Sequence, residues 1–156
     1  MKTMHEKAVR EAFVQVLGKM AFLFAEPVEK RDIDPFEGEW LLVSMRFRGE
    51  LAGTLDLAMP TALCREVAAG VLGEDPESDK AQTRAVDAAL ELLNVTCGQV
   101  LTAIAGEQPK FDLSAPSAES PSSGTLHALA EVKETVAFAI DDYTALLRLT
   151  TKESTP

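Results

Sequence analysis

The sequence predicts an α+β fold in which long helices pack on a largely antiparallel sheet. Two long segments have helical periodicity, and two pairs of β-rich runs are each joined by a short turn. These elements occur in the order helix, hairpin, helix, then helix, hairpin, so two halves, about residues 6–73 and 81–150, repeat one plan. We expect a single domain over residues 1–156, because 156 residues with 46% apolar content suit one core.

The first half begins with a helix, and Glu26-Pro27 ends it because proline disfavours helical geometry in the residue before it. The helix is indicated by apolar residues at helical spacing: Val9, Phe13, Val16, Leu17, Met20 and Leu23. The β-rich runs 40–47 and 51–59 flank a short turn that contains glycine, which is typical of a hairpin. Pro60 can open the next helix, which ends near Gly73.

The second half follows a polar loop, 74–80. Its long helix is expected over about 81–105. The Ser/Pro/Gly-rich segment that follows, through Gly124, predicts a mobile surface loop. Two further β-rich runs, 136–140 and 143–149, flank an Asp-Asp turn and predict the second hairpin.

Charge and hydropathy exclude several classes of partner. The formal net charge is −10 at pH 7, and the Lys and Arg residues are scattered, so we expect no nucleic-acid binding. The most apolar stretch, 14–25, is interrupted by Lys19 and is far shorter than the roughly 20 residues that a membrane-spanning helix needs. With no export signal visible, we expect a soluble, cytoplasmic protein without membrane insertion.

The residues that most often bind metals are few and isolated. Cys64 and Cys97 lie within predicted helices without CxxC or Cys/His spacing, and we interpret them as core thiols. His5 and His127 have no partner nearby in sequence. We therefore expect no metal or cofactor to be bound by this chain.

The long helix of the second half carries a narrow polar stripe. At about 100° per residue, Asp87, Glu91, Asn94 and Gly98 fall within about 60° of one another and should face one partner. Gly98 lies in line with them although glycine costs roughly 1 kcal/mol in a helix, and the close approach of another surface would explain it. The core is predicted on a different arc of the helix: Val86, Leu90, Leu93, Cys97, Val100, Leu101 and Ile104.

A solvated helix face is the alternative interpretation of this stripe. Polarity is sparse here, however, because Asp87 and Glu91 are the only charged residues from Ala85 to Ile104. A face selected only for solubility would more often mix Lys and Arg with Glu. A buried asparagine that caps a neighbouring loop is the alternative for Asn94.

The chain resembles the CheC/CheX-type phosphatases, which act on phosphorylated CheY in bacterial chemotaxis. Their signature is Asp or Ser, three residues, Glu, two residues and Asn on a long helix, and residues 87–94 have this pattern. The repeated helix–hairpin plan matches over roughly residues 6–149, and 20–27 resembles the end of the family's first helix. The equivalent spacing in the first helix gives Glu11, Gln15 and Gly18, without the Glu/Asn pair. One active stripe per chain therefore resembles the CheX type, which implies a homodimer.

The resemblance implies a phosphorylated CheY-like receiver as the partner, with Mg²⁺ bound by the receiver. It also implies that Glu91 forms a salt bridge to a receiver lysine, while Asp87 adds a polar contact at the rim. A carboxamide is both donor and acceptor, so inserted Asn94 can hold the attacking water in line with the phosphorus. Glu91 and Asn94 are thus the candidate catalytic residues, and Asp87 and Gly98 the candidate partner-binding residues.

A non-catalytic interaction module of the same fold is the competing interpretation, since related folds occur in flagellar switch proteins and fold does not determine activity. Where the family often has Asn-Pro, some twenty residues after the motif, this chain has Ala115-Pro116. The sequence identifies neither the particular regulator nor the pathway, motility or another two-component circuit.

Overall fold

The computed structural model describes residues 2–33, 36–107 and 110–153. In it, helices pack on an antiparallel sheet, which confirms the predicted α+β class. The helices are α1 (Lys2–Ala21), α2 (Thr61–Leu72), α3 (Asp79–Ala105) and α4 (Ser123–Glu131). The strands are β1 (Glu26–Val28), β2 (Trp40–Arg48), β3 (Leu51–Pro60), β4 (Asp112–Leu113), β5 (Ser117–Glu119), β6 (Val136–Ile140) and β7 (Tyr143–Glu153).

The sheet is built around its two hairpins. The strand order is β1-β6-β7-β3-β2-β4, and β5 also pairs with β2. Strands β2 and β3 form the first hairpin, and β6 and β7 form the second around the predicted Asp141-Asp142 turn. Strands β3 and β7 pair with each other over eight register positions, from Leu51 opposite Glu153 to Ala58 opposite Leu146. The two hairpins therefore make one continuous sheet.

One face of the sheet carries the main hydrophobic core. Alternate residues of the central strands point to the same face, and on this face they pack against α1, α2 and α3. Phe13 of α1 and Phe138 of β6 lie at its centre, fully buried, with ring centroids 4.6 Å apart. This core fixes the position of α3, whose buried side packs on the neighbouring helices and strands.

The opposite face is only partly covered. Leu126 and Leu129 of α4 join Trp40, Leu42 and Leu146 in a smaller apolar cluster. The rest of this face carries polar residues on β2, β3 and β7.

Helix α4 was not predicted, since the segment through Gly124 was interpreted as a surface loop; β5 and the start of α4 lie within it. Ser122 caps the helix by accepting a hydrogen bond from the Thr125 amide at 3.1 Å. The spacing of Leu126 and Leu129 then supplies one apolar face.

Helix α1 ends earlier than its apolar pattern suggests. Its last residue is Ala21, and Phe22 follows with a left-handed φ of 58° while its amide bonds to the Gly18 carbonyl at 3.1 Å. Phe22 and Phe24 are exposed, at 73% and 85%. The apolar run before Pro27 therefore leaves the helix and in part faces solvent.

Candidate functional site on the long helix

Helix α3 is a straightforward consequence of its local sequence. Ser78 is the N-cap, and its hydroxyl accepts a hydrogen bond from the Ala81 amide at 3.1 Å. Asp79 adds a negative charge in the first turn, where it stabilises the helix by interacting with the positive end of the helix dipole. The helix spans 27 residues and ends at Ala105. Gly106 follows it with a positive φ of 86°.

The buried side of α3 is made largely of small and branched residues. It comprises Ala81, Ala85, Ala88, Ala89, Leu92, Leu93, Thr96, Cys97, Val100 and Leu101. Leu90 and Ile104 are partly buried against the core, as predicted. The prediction was wrong for Val86, which is 45% exposed. The helical wheel gives the direction of a side chain but not whether a neighbouring element reaches it.

The four residues of the predicted stripe lie on the outer side of α3. Asp87, Glu91 and Asn94 are exposed, and Gly98 is partly exposed. At 1.5 Å per residue, Asp87 and Asn94 are about 10 Å apart along the helix axis. A carboxylate and a carboxamide, Glu91 and Asn94, thus project one turn apart from a rigid element whose other side is anchored in the core. Both side chains therefore point away from the core on the same side of the helix.

Neither Glu91 nor Asn94 is engaged by the part of the chain that the structure describes. Across residues 2–33, 36–107 and 110–153, neither side chain has a hydrogen-bond or ion-pair partner. Asn94, the single asparagine of the sequence, therefore does not cap a loop in this described region. Both groups are free to meet a second molecule.

Asp87 differs from these two residues. Its carboxylate lies 3.6 Å from the guanidinium of Arg84 in an exposed i,i+3 pair. Such surface pairs contribute little, because solvent screens them. A partner group that approaches Asp87 meets a carboxylate whose charge is partly balanced by Arg84, which the sequence interpretation missed.

Gly98 leaves open space beside the stripe. A Cβ built on Gly98 meets no heavy atom within 4 Å outside its own helix backbone and its chain neighbours. Packing in the described chain therefore does not require glycine here. The absence of a side chain does lower the surface next to Asn94, so a partner can approach the helix backbone.

Helix α1 lies against α3 on one side of the stripe. The Gln99 side-chain amide donates to Oε1 of Gln15 at 3.2 Å, which links the two helices. Gln15 belongs to the first-helix positions Glu11, Gln15 and Gly18, where the spacing offered no Glu/Asn pair. The structure gives Gln15 a structural contact instead, and sequence periodicity within one helix could not show it.

The two cysteines are buried and free. Burial raises the pKa of the Cys64 thiol to about 12 and that of Cys97 to about 11. Both are therefore neutral thiols at ordinary pH, in agreement with their interpretation as core residues. Among the described residues, no group of three or more His, Cys, Asp or Glu side chains is arranged to hold a metal ion.

Helix α3 is also long and apolar enough to span a membrane by length and composition, and it is the one such helix in the described ranges. In its most apolar window, 44% of the residues are buried within the protein. Core helices of soluble proteins pass the same test, so this property is weak support for a membrane span.

Solved structures resemble the whole described fold. CheX from Vibrio vulnificus superposes with a TM-score of 0.73 at 17% identity, over 97% of this chain and 99% of that chain. CheX from Desulfovibrio desulfuricans gives 0.70 at 16% identity, over 95% and 99%. CheX in a CheX-CheY-BeF3-Mg complex from Borrelia burgdorferi gives 0.64 at 19% identity, over 94% and 97%. These likenesses confirm the CheC/CheX-like fold.

No curated protein matches the sequence. The family model described as chemotaxis phosphatase CheX matches residues 41–141, which is well over half of the chain and includes the whole polar stripe. The resemblance drawn from the signature on α3 is thus confirmed at the level of the family. The chain belongs to the chemotaxis phosphatase CheX family.

Proposed function

We propose that this protein stimulates hydrolysis of the aspartyl phosphate on a CheY-like response regulator, with Asn94 orienting the attacking water. The observation that carries the proposal is the pairing of exposed, unengaged Glu91 and Asn94 on a helix that the core holds in place. Membership of the chemotaxis phosphatase CheX family supports the reaction class. The Borrelia burgdorferi complex of CheX with CheY supports the class of partner.

Hydrolysis of the aspartyl phosphate requires few catalytic groups from the added protein. A phosphoryl group in transfer needs positioning and charge stabilisation, and the receiver supplies its own carboxylate and Mg²⁺. What the receiver lacks is a water held in line with the phosphorus. The Asn94 carboxamide, with one acceptor oxygen and two donor hydrogens, orients that water without removing its proton.

Glu91 acts by anchoring the receiver. Its carboxylate forms a charge-assisted contact with a lysine of the receiver, one helical turn before Asn94. The contact fixes the receiver against α3 and keeps the carboxamide aimed at the phosphate. Asp87 adds a polar contact to the receiver at the rim of the stripe, and its ion pair with Arg84 weakens that contact. Gly98 allows the surfaces of the two proteins to approach closely.

The proposal places the Mg²⁺ on the receiver and no cofactor on this chain. It also places the protein in the cytoplasm, where response regulators are found, and makes it a homodimer. Support for the dimer comes from β7: residues 148–153 pair with β3 on one side, and within the described chain no strand pairs with their other side. Light scattering of the purified chain tests the dimer, and a monomer mass contradicts it.

The decisive experiment measures phosphate release from a phosphorylated receiver with Mg²⁺, using a panel of receivers from the same organism. For the receiver that responds, Asn94→Ala should reduce hydrolysis to the receiver's own rate while binding stays nearly unchanged. Glu91→Ala should weaken both, with binding about tenfold weaker, since it removes a charged hydrogen bond. Binding is measured by calorimetry on the receiver activated with beryllofluoride.

Two matched control variants test whether the effects are specific to residues of the stripe. Gln99→Ala removes a carboxamide from α3 away from the stripe, and Glu11→Ala removes an acid at the corresponding position of α1. Both should retain stimulated hydrolysis. If Asn94→Ala hydrolyses as fast as the unmodified protein, the water-positioning role is wrong. Binding without any acceleration, across the whole panel, would instead indicate the non-catalytic interaction module.

A further inference from the structure

Cationic side chains gather on the open face of the sheet, away from α3. Arg46 and Arg48 of β2, and Lys152 of β7, point to this face and are exposed. No other described residue forms a hydrogen bond or an ion pair with these three side chains. Elsewhere in the described residues, Lys7, Arg10, Lys80, Arg84 and Arg148 each form an ion pair with an acid.

The strand register arranges these cations as two walls. Ala52 of β3 pairs with Lys152 of β7, and Arg46 of β2 pairs with Thr54 of β3. Arg48 follows the last β2–β3 pair, Phe47 with Gly53, and so lies beside Ala52. Neighbouring strands are about 4.8 Å apart, so the walls stand about 10 Å from each other across β3. The floor between them consists of the small residues Ala52 and Thr54. We call this feature the basic trough.

The trough is a real depression in the surface. A groove of about 580 Å³ is lined by its wall and floor residues together with Asp112 and Ser114. Asp112 lies opposite Arg48 and is the acid at the rim, and Lys152 is the cation of the far wall. The formal charge of the groove stays positive, since three cations face one acid.

A neighbouring ion pair bounds the trough along the sheet. Arg148 donates from Nη2 and Nε to Oδ2 of Asp56, at 2.8 Å and 3.2 Å. Asp56 is only 8% exposed, so its charge is satisfied within the protein and does not reach the trough cations. The Thr150 hydroxyl, beside Thr54, adds an exposed donor between this pair and Lys152.

The dimensions of the trough and its local positive electrostatic potential favour a compact anion over an extended one. An extended polyanion or an anionic membrane would meet the rest of a surface whose net charge is −10. A compact anion keeps all its charges within the trough, where the near cations dominate over a screening length of about 8 Å. Arg and Lys side chains with hydroxyl donors are suited to phosphate oxygens.

The trough offers no surface for stacking an aromatic base. Phe47 is the aromatic residue at its edge, and its side chain is 3% exposed within the core. The trough side chains can therefore recognise such a ligand only through its phosphate groups. We propose that the basic trough binds a compact anion through a diphosphate group, supplied either as free pyrophosphate or as a nucleoside diphosphate.

This site is independent of the proposed phosphatase function, because it lies on the other face of the sheet from α3. The test is a titration of the full-length chain with pyrophosphate, and separately with ADP, without Mg²⁺ and at low salt. Calorimetry gives the affinity, and backbone NMR locates the site. We expect saturable binding with shifts centred on Ala52, Thr54 and Thr150, and similar affinities for the two ligands.

The key variant is Arg46→Gln/Arg48→Gln/Lys152→Gln, which should bind pyrophosphate at least about tenfold more weakly. The matched control is Lys7→Gln/Lys19→Gln/Lys80→Gln, which changes net charge equally at exposed positions remote from the trough. It should bind as the unmodified chain does. Circular dichroism verifies that both variants fold, and a single Arg48→Gln variant replaces the triple variant if that one does not.

Several outcomes would overturn the proposal. These are no saturable binding of either ligand, equal loss in the control, or shifts that lie elsewhere. Binding of ADP without pyrophosphate would show that the diphosphate group is not what is recognised. Tighter binding of a tetraglutamate peptide than of pyrophosphate would assign the trough to an acidic protein segment instead.

Discussion

Gly70 of α2 and Ala21 at the end of α1 are in backbone contact. A Cβ built on Gly70 would overlap the Ala21 carbonyl oxygen, so only glycine allows the two helices to cross here. This crossing packs α2 beside the end of α1.

Gly70→Ala should lower the free energy of unfolding by about 2 kcal/mol, because backbone atoms must move apart to relieve the overlap. Gly98→Ala is the matched control: it is also a helical glycine, but its Cβ would meet open space. That variant should gain up to about 1 kcal/mol from helix propensity. Urea unfolding measures both, and equal effects in the two variants would contradict the packing argument.

Gly98→Ala also separates stability from function. If a receiver approaches the stripe closely at Gly98, the added methyl group should reduce receiver binding although the protein itself becomes more stable. Calorimetry with the activated receiver, beside the unfolding curve, checks this. Unchanged binding in the stabilised variant would remove Gly98 from the contact surface.

The Thr96 hydroxyl is the one fully buried side-chain polar atom without a hydrogen-bond partner in the described ranges. Thr96→Val keeps the shape and removes the unpaired group, so it should raise the free energy of unfolding by about 1 kcal/mol. The control is Thr135→Val, because the Thr135 hydroxyl donates to the Leu129 carbonyl at 2.7 Å and is also buried. That change should lower the free energy of unfolding by about 1–3 kcal/mol. A destabilised Thr96→Val would indicate a partner for this hydroxyl in solution.

The buried thiols should react slowly. Relative to the ordinary thiol value of 9.0, a pKa of about 11 for Cys97 lowers its thiolate fraction at pH 8 about 100-fold, and the effect is larger for Cys64. Labelling with an aromatic disulfide reagent should therefore be slow in the native protein and fast in urea, in each single-cysteine variant. Fast native labelling of either variant would contradict the burial of that residue.

The same shifts set a pH dependence. Because both folded-state pKa values lie above the unfolded value, the native state holds its thiol protons longer than the unfolded chain does. The free energy of unfolding should fall as the pH rises through about 9 toward 11, and replacing Cys64 and Cys97 by alanine should flatten that slope. If the replacements leave the slope unchanged, the pH dependence of the free energy of unfolding comes from other titratable groups.

The fold class and both hairpins could be predicted because alternating and helical patterns are local. Helix α4 was missed because the serines and prolines before it dominated the composition, although the Ser122 cap and the Leu126 and Leu129 spacing were present. Phe22 shows the converse. It continues an apolar run, yet the chain turns there with a left-handed φ, and the apolar spacing does not reveal the position of that turn.

The candidate site was predictable in one respect. Periodicity correctly put Asp87, Glu91 and Asn94 on a single exposed side of α3. The Arg84 contact to Asp87 depends on side-chain rotamers, and the Gln15 contact to Gln99 depends on how two helices pack. Neither can be obtained from the pattern of one segment.

The position of β7 also has a kinetic consequence. This last strand along the described chain lies between β6 and β3, so the first hairpin gains its central neighbour only when residues some ninety positions later have been synthesised. Such distant pairings slow folding, because the closure of a long loop precedes the gain in contacts. The ribosome-bound chain would therefore hold β3 paired with β2 alone, with its other edge exposed until late in translation. An exposed strand edge is prone to aggregation, so chaperones would act at this stage.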